Sequence, residues 1–245
     1  MLDNILLGTL QGIFEWIPIS SEGIVALCSK FLIEDVNFID IAIFLHLGTL
    51  FAVLVYFRKD WKEVFTLRDK TLLRFLIIAT VISLGIGFLA YNMVSRITLG
   101  AGLLLIMGIG LLFTSFLQRK GKTFDLSLDR LALITGALQG LSVIPGLSRS
   151  GSTIFGLSLS KINPTEILKY SYMMSAPVVL ASSSYLMIKN PALISDGWIS
   201  LIFSFLIGLI SLHFLIKISQ RINFSKFALI FGILCLFGAA IGFVL

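Results

Sequence analysis

Long apolar runs separated by short charged loops set the pattern of this chain. Runs of this kind cover residues 39–57, 72–92, 98–117, 167–188, 197–216 and 227–244. A helix needs roughly 20 apolar residues to cross about 30 Å of hydrocarbon, so six transmembrane helices are predicted. Two stretches break the pattern. Residues 4–14 are apolar but too short to span, and Glu15-Trp-Ile-Pro-Ile-Ser-Ser-Glu-Gly23 follows them before a second short apolar piece to about Leu32. Residues 131–143 are again short and apolar, Ile144-Pro-Gly-Leu-Ser-Arg-Ser-Gly-Ser-Thr153 interrupts them, and 154–160 make a short tail. A short helix, a polar break and a second short helix predict a re-entrant hairpin at each place. The expected fold is an all-α polytopic membrane protein of six transmembrane helices plus two re-entrant helical hairpins, in a single membrane domain over 1–245.

The two broken segments are related. Gly8-Thr-Leu-Gln-Gly12 recurs as Gly136-Ala-Leu-Gln-Gly140, and Ser20 and Gly23 match Ser148 and Gly151 at the same offset of 128. Each half is then one hairpin followed by three spans, over roughly 1–117 and 131–245. Three is an odd number, so the halves form two inverted-topology repeats whose hairpins enter from opposite faces. Gly- and Pro-interrupted segments at corresponding positions of two repeats point to a binding site between them.

Charge supports that topology. The chain is 57% hydrophobic and 13% charged, against about 25% charged in soluble domains, and its mean hydropathy is +1.01. With 58–74, 118–130, 161–169 and 217–226 on one side, that side holds fifteen Lys and Arg against Lys30, Arg96 and Lys189 on the other. This is a positive-inside bias. It places both termini outside a plasma membrane, and it accounts for the net charge of +6 without a nucleic-acid partner. The start, Met1-Leu-Asp-Asn, lacks the basic region and cleavage site of a signal peptide and is expected to be retained. Cys28 and Cys235 lie in apolar sequence without metal-type spacing and read as small core residues.

The chemistry concentrates in the breaks. Gln11 and Glu15 are four apart, hence on one helix face. Glu15 either pairs with Arg149 to hold the hairpins together, or coordinates a divalent cation, or handles a proton. Ser20 and Ser21 exceed what one helix cap needs, and Gly23 allows close backbone approach. Opposite them, Ser148-Arg-Ser-Gly-Ser-Thr153 sets N–H groups, hydroxyls and a guanidinium at a helix start, which is phosphate-binding chemistry. An arginine inside a membrane is a functional group by default. The halves have also diverged: Val143 stands where Glu15 has its counterpart, and Arg149 has no basic match in the first half. Of the weaker candidates, His46 reaches the site or merely packs, His213 is structural, Glu22 adds a second carboxylate or faces water, and Ser175-Ala-Pro177 and Ser182-Ser-Ser184 serve kinking and packing.

At Gln11-x-x-x-Glu15, Pro18-x-Ser-Ser-x-Gly23 and Pro145-Gly-x-Ser-Arg-Ser-Gly-x-Thr153 the chain resembles the undecaprenyl-diphosphatase family of membrane enzymes linked to bacitracin resistance, and Leu47-Gly-Thr49 fits as well. The resemblance implies hydrolysis of a C55 polyprenyl diphosphate to the monophosphate and inorganic phosphate, recycling a lipid carrier. It implies Gln11 and Glu15 as ligands of a divalent cation (Mg²⁺ or Ca²⁺), Ser21 as nucleophile, and Ser148, Arg149 and Thr153 as phosphate-binding residues. Glu15, Ser21 and Arg149 are then the expected catalytic set, with Gln11, Ser20, Gly23, His46, Gly146, Ser148, Ser150 and Thr153 around the substrate. The family's first motif has a histidine after its glycine, where this chain has Ile24. That leaves the proton role to Glu15, to His46 or to metal-bound water, and with Glu22 it fits a branch using another carrier, such as a dolichyl-type lipid. The partners expected are a polyprenyl diphosphate and the membrane, with room for a homodimer. Two other readings compete: a lipid flippase or transporter on the same inverted scaffold, and an inactive relative that only binds the lipid.

Overall fold

A computed structural model describes residues 2–18, 21, 24–25, 28–29, 38–94, 100–119, 125–143, 147–160, 162–189, 191–221 and 223–244. The described chain is helical: α1 Leu2–Phe14, α2 Phe38–Tyr56, α3 Arg58–Phe65, α4 Lys70–Val94, α5 Gly100–Arg119, α6 Leu128–Leu141, α7 Arg149–Ser158, α8 Pro164–Lys189, α9 Ala192–Ser219 and α10 Phe224–Val244. Polar side chains set several of the starts by accepting from orphan N–H groups of the first turn. Asp69 accepts from Leu72 N at 2.8 Å, Ser127 from Arg130 N at 3.4 Å, Asn163 from Glu166 N at 2.9 Å and Asn223 from Lys226 N at 2.9 Å.

Among the described residues, Lys70–Ala90, Pro164–Lys189 and Gly197–Ser219 are long and apolar enough to cross a membrane. Asp40–Tyr56 joins Arg58–Phe65 at a bend of 79° to make a fourth candidate. Phe88, Val81, Ile106, Phe237 and Phe214 are each more than half exposed on outer faces. Large apolar side chains standing out on every described helix except α7 are at home in lipid rather than water. The chain is a multi-pass membrane protein.

The basic loop 58–74 differs from its expectation, for it contains α3. Arg58, Lys59 and Lys62 are exposed, Val64 is buried, and Trp61 stacks on Phe65 at 5.7 Å. Eight residues with charges and apolar groups segregated form about two amphipathic turns that lie across the end of α2.

Packing crosses between the two halves. α1 lies on α9 and α6 lies on α4, while α2 packs against α8 and α9, and α5 pairs with α10. At the crossings a side chain would collide with backbone: a Cβ on Gly8 would sit 2.3 Å from Ser200 O, and one on Gly136 would sit 2.7 Å from Ala79 O. Small residues let helices approach this closely in lipid, where dispersion contacts rather than water exclusion drive association. Serines lock the contacts, with Ser204 Oγ donating to Leu45 O at 2.9 Å and Ser183 Oγ to Ile43 O at 3.2 Å. In α8, Pro177 has no N–H for the ladder and Ser175 Oγ turns back to Tyr172 O at 2.7 Å.

Polar pairs gather several helix ends at one end of the bundle. Arg74 meets Asp129 at 2.6 Å, Lys169 meets Asp60 at 2.7 Å, and Thr165 and Ser219 hydroxyls are 3.1 Å apart. The starts of α3, α4, α6 and α8 and the close of α9 therefore share one end.

Candidate active site

Glu15 is the hub. It sits one residue past the end of α1, its N–H still bonded to Gln11 O at 3.0 Å, and its side chain is 1% exposed. Helical spacing brings Gln11 alongside, and Gln11 Nε2 donates to Glu15 Oε2 at 2.7 Å. Ser21 Oγ donates to the same oxygen at 2.9 Å. His46, from α2, presents Nε2 to it at 3.2 Å. Its other ring nitrogen, Nδ1, lies 2.7 Å from Ala42 O. A carbonyl only accepts, so Nδ1 carries a proton, and the ring is held with Nε2 aimed at the carboxylate.

Arg149 comes from the other broken segment and meets Glu15 Oε1 as an ion pair. The contact lacks the alignment of a hydrogen bond, and Oε1 has no other partner. Of the three roles the sequence leaves open for Glu15, the pairing with Arg149 is the one these contacts display. A buried carboxylate next to a guanidinium is its counterion, because either charge alone would be strongly destabilised. The Arg149 side chain is 19% exposed, whereas Glu15 is sealed. Of the two, the arginine is the one reachable by a ligand.

Around this centre the two segments are stitched together. Ser148 caps α7, its Oγ accepting from Gly151 N at 3.3 Å and lying 3.1 Å from Ser150 Oγ. Ser150 Oγ donates to Ile17 O at 3.0 Å. Gly151 is needed at the crossing, since a Cβ there would stand 2.9 Å from Pro18 Cβ. Thr153 is turned away from Glu15: its Oγ1 lies 2.6 Å from Ser171 Oγ on α8 and donates to Arg149 O at 3.0 Å. Placement four residues into α7 puts it on the face packed against α8. Ile24, where the resemblance expects histidine, is helical and half-buried. Ser20, Gly23 and Gly146, with Glu22, lie outside the described residues.

Two site residues escape a reading of the sequence. Tyr172 OH donates to Trp16 O at 2.7 Å, and Trp16 Nε1 donates to Gly208 O and Ser211 Oγ, each at 3.0 Å. The rings meet edge-on at 5.0 Å. Buried aromatics with a satisfied polar tip make rigid supports, and here they fix the turn after Glu15 against α8 and α9. Trp16 stood beside Glu15 in a polar break, but Tyr172 carries no local signal.

The donor set for a cation is oxygen-rich but small. Among the described residues no three His, Cys, Asp or Glu side chains cluster as a metal site. Gln11 Oε1 is buried without a partner beside the Glu15 carboxylate. One carboxylate, one orphaned carboxamide oxygen and the oxygens of a phosphate ligand suit Mg²⁺, which keeps several waters and takes few protein ligands.

Comparison with known proteins gives a consistent picture. A family model described as bacitracin resistance protein BacA matches residues 4–237. A protein of Methanococcoides burtonii named undecaprenyl-diphosphatase is 32% identical over 95% of this chain and 96% of its own. Proteins of the same name from Korarchaeum cryptofilum and Thermosipho africanus are each 34% identical, the first over 94% of this chain and 95% of its own, the second over 99% of both.

Proposed function

The chain belongs to the bacitracin resistance protein BacA family, and from that premise we infer that it dephosphorylates undecaprenyl diphosphate to the monophosphate, as the name of its relatives states of them. The observation that carries the inference is the joining of Ser21 and Arg149 on one buried carboxylate, Glu15. This is a nucleophile within proton-transfer reach of a base, with a cation at hand for phosphate. A serine bonded to a buried carboxylate suits hydrolysis, and the relatives compared above are named for a phosphatase rather than for transport.

The proposed reaction runs as follows. The diphosphate draws Arg149 from Glu15, with the Ser148-capped start of α7 adding N–H groups and helix dipole. Glu15, released from its counterion, accepts the Ser21 proton along the 2.9 Å bond. Ser21 Oγ attacks the terminal phosphorus, and the bond to the bridging oxygen breaks with the electron pair leaving on the lipid monophosphate. Water then cleaves the phosphoserine, and Ser21 recovers its proton from Glu15. His46 holds Glu15 Oε2 toward Ser21 throughout. A bound divalent cation, held by Gln11 and Glu15, would neutralise phosphate charge. Trp16, Tyr172, Ser150 and Gly151 keep the two segments in register.

The scaffold proposed is six spans with two re-entrant hairpins in two inverted repeats, with both termini outside, and a homodimer is compatible with it. Support comes from the ion pairs that start α6 and α8 at the same end as α3, as expected for a hairpin that returns to the side it entered. The test is phosphate release from undecaprenyl diphosphate by the purified protein, with and without EDTA, across polyprenyl chain lengths. Full turnover in Glu15→Gln and Arg149→Ala sinks the mechanism, and turnover retained by Ser21→Ala moves the nucleophile to water. A requirement for cation appears as loss with EDTA and recovery with Mg²⁺.

A further inference from the structure

A second polar feature lies away from the hairpins, where α2 gives way to α3. A groove of about 520 Å³ runs between this junction and α9, lined by Val55, Tyr56, Arg58, Leu209, Ile210, His213 and Phe214. Along α2 it is ten residues past His46, about 15 Å at 1.5 Å per residue. Its walls are apolar and outward: Val55 is 40%, Ile210 52% and Phe214 58% exposed. Its polar lining is Tyr56, Arg58 and His213. Arg58 makes a single long contact, to Val55 O at 3.4 Å, and among the described residues neither Arg58 nor His213 has an acidic partner. Asp60, the nearest carboxylate in sequence, is engaged by Lys169. The His213 ring is set beside Tyr56 at 6.0 Å.

We propose that this groove binds an anionic lipid, its phosphate held by Arg58 and the His213 imidazole N–H and its chain laid along Leu209, Ile210 and Phe214. Charge complementarity carries the choice of occupant. An uncompensated guanidinium at the head of an apolar groove is matched by a ligand that is phosphate at one end and hydrocarbon at the other. The bend of 79° between α2 and α3 carries Arg58, Lys59 and Lys62 across the bundle end, adding positive charge beside the groove that attracts anionic lipid. α9 links the groove to the hairpin region, since Gly208 and Ser211 hold Trp16 on its inner face while Leu209, Ile210 and His213 face outward. The proposal does not depend on the phosphatase reading.

The experiment is native mass spectrometry of the full chain in detergent, titrated with phosphatidylglycerol or with zwitterionic phosphatidylcholine of the same chains. The wild type should retain one phosphatidylglycerol with about tenfold preference over phosphatidylcholine. Arg58→Gln combined with His213→Leu should abolish that preference, and Arg58→Gln alone should reduce it. Arg130→Gln, an exposed cation on α6 at the same end, should leave it intact. Melting temperatures of the variants, whose replaced side chains are exposed, should stay at the wild-type value. Equal retention of both lipids by the wild type overturns the proposal, as does an equal loss in Arg130→Gln, which would signify diffuse attraction. Displacement of the lipid by millimolar inorganic phosphate overturns it too, assigning the site to a free anion.

Discussion

Gln11 and Gln139 stand at matching places in the two broken segments and do different work. Gln11 Nε2 donates to Glu15, whereas Gln139 Nε2 donates to Ser83 Oγ at 3.1 Å and Met174 O at 3.2 Å. Each leaves its Oε1 buried and without a partner. The difference follows from one position. Four residues on, the first segment has a carboxylate and the second has Val143, so Gln139 has only helix-packing partners. The glycines around both glutamines are used alike, Gly8 and Gly136 each pressed on the backbone of a helix from the other half. Packing has been kept around both glutamines, and a carboxylate stands beside only one of them.

The comparison breaks most readily at the carboxylate. Glu15→Gln keeps the shape but removes the base, and turnover should fall about 10³–10⁴-fold while the chain still folds, as phosphate release and a melting curve would establish. Arg149→Ala should cost about 10²–10³-fold in kcat, with Arg149→Lys recovering part of it. Retention of wild-type turnover in either would place the chemistry elsewhere.

The shared packing predicts effects on stability, alike in both halves. Gly8→Ala and Gly136→Ala should each destabilise the protein by about 2–3 kcal/mol, because the new Cβ meets a carbonyl oxygen that no side-chain rotation can clear. Unequal effects in thermal melts would show that the two crossings are not equivalent. The smallest and most diagnostic contrast is between the glutamines. Gln11→Leu should lower kcat about tenfold through the lost bond to a charged group. Gln139→Leu should leave kcat within about twofold and shift stability by less than about 1.5 kcal/mol, since the lost amide bonds are offset by removal of an unsatisfied oxygen.

Much of this was legible in the chain itself. The helices α2, α4, α5, α8, α9 and α10 fall within a few residues of the six apolar runs, because in lipid a backbone can satisfy its own polar groups only as a helix or a closed barrel. Gln11 beside Glu15 followed from helical periodicity alone. α3 was not legible, since eight residues of mixed charge read as a loop until they lie on a membrane end. Thr153 was read as phosphate-binding from its neighbours, yet its hydroxyl is turned to Ser171 on α8.

The sequence by itself determined which polar residues the fold had to bury with partners. An acid, a guanidinium and clustered hydroxyls cannot be left in hydrocarbon without a partner or a purpose, so their presence in apolar sequence marked them. Tertiary structure alone decided who meets whom. Glu15 and Arg149 are 134 positions apart in the chain, His46 arrives from α2, and Tyr172 braces Trp16 from α8. Local periodicity extends over a few turns of helix. Contacts at longer separation depend on which glycines let which helices close together, and that is a property of the packed bundle.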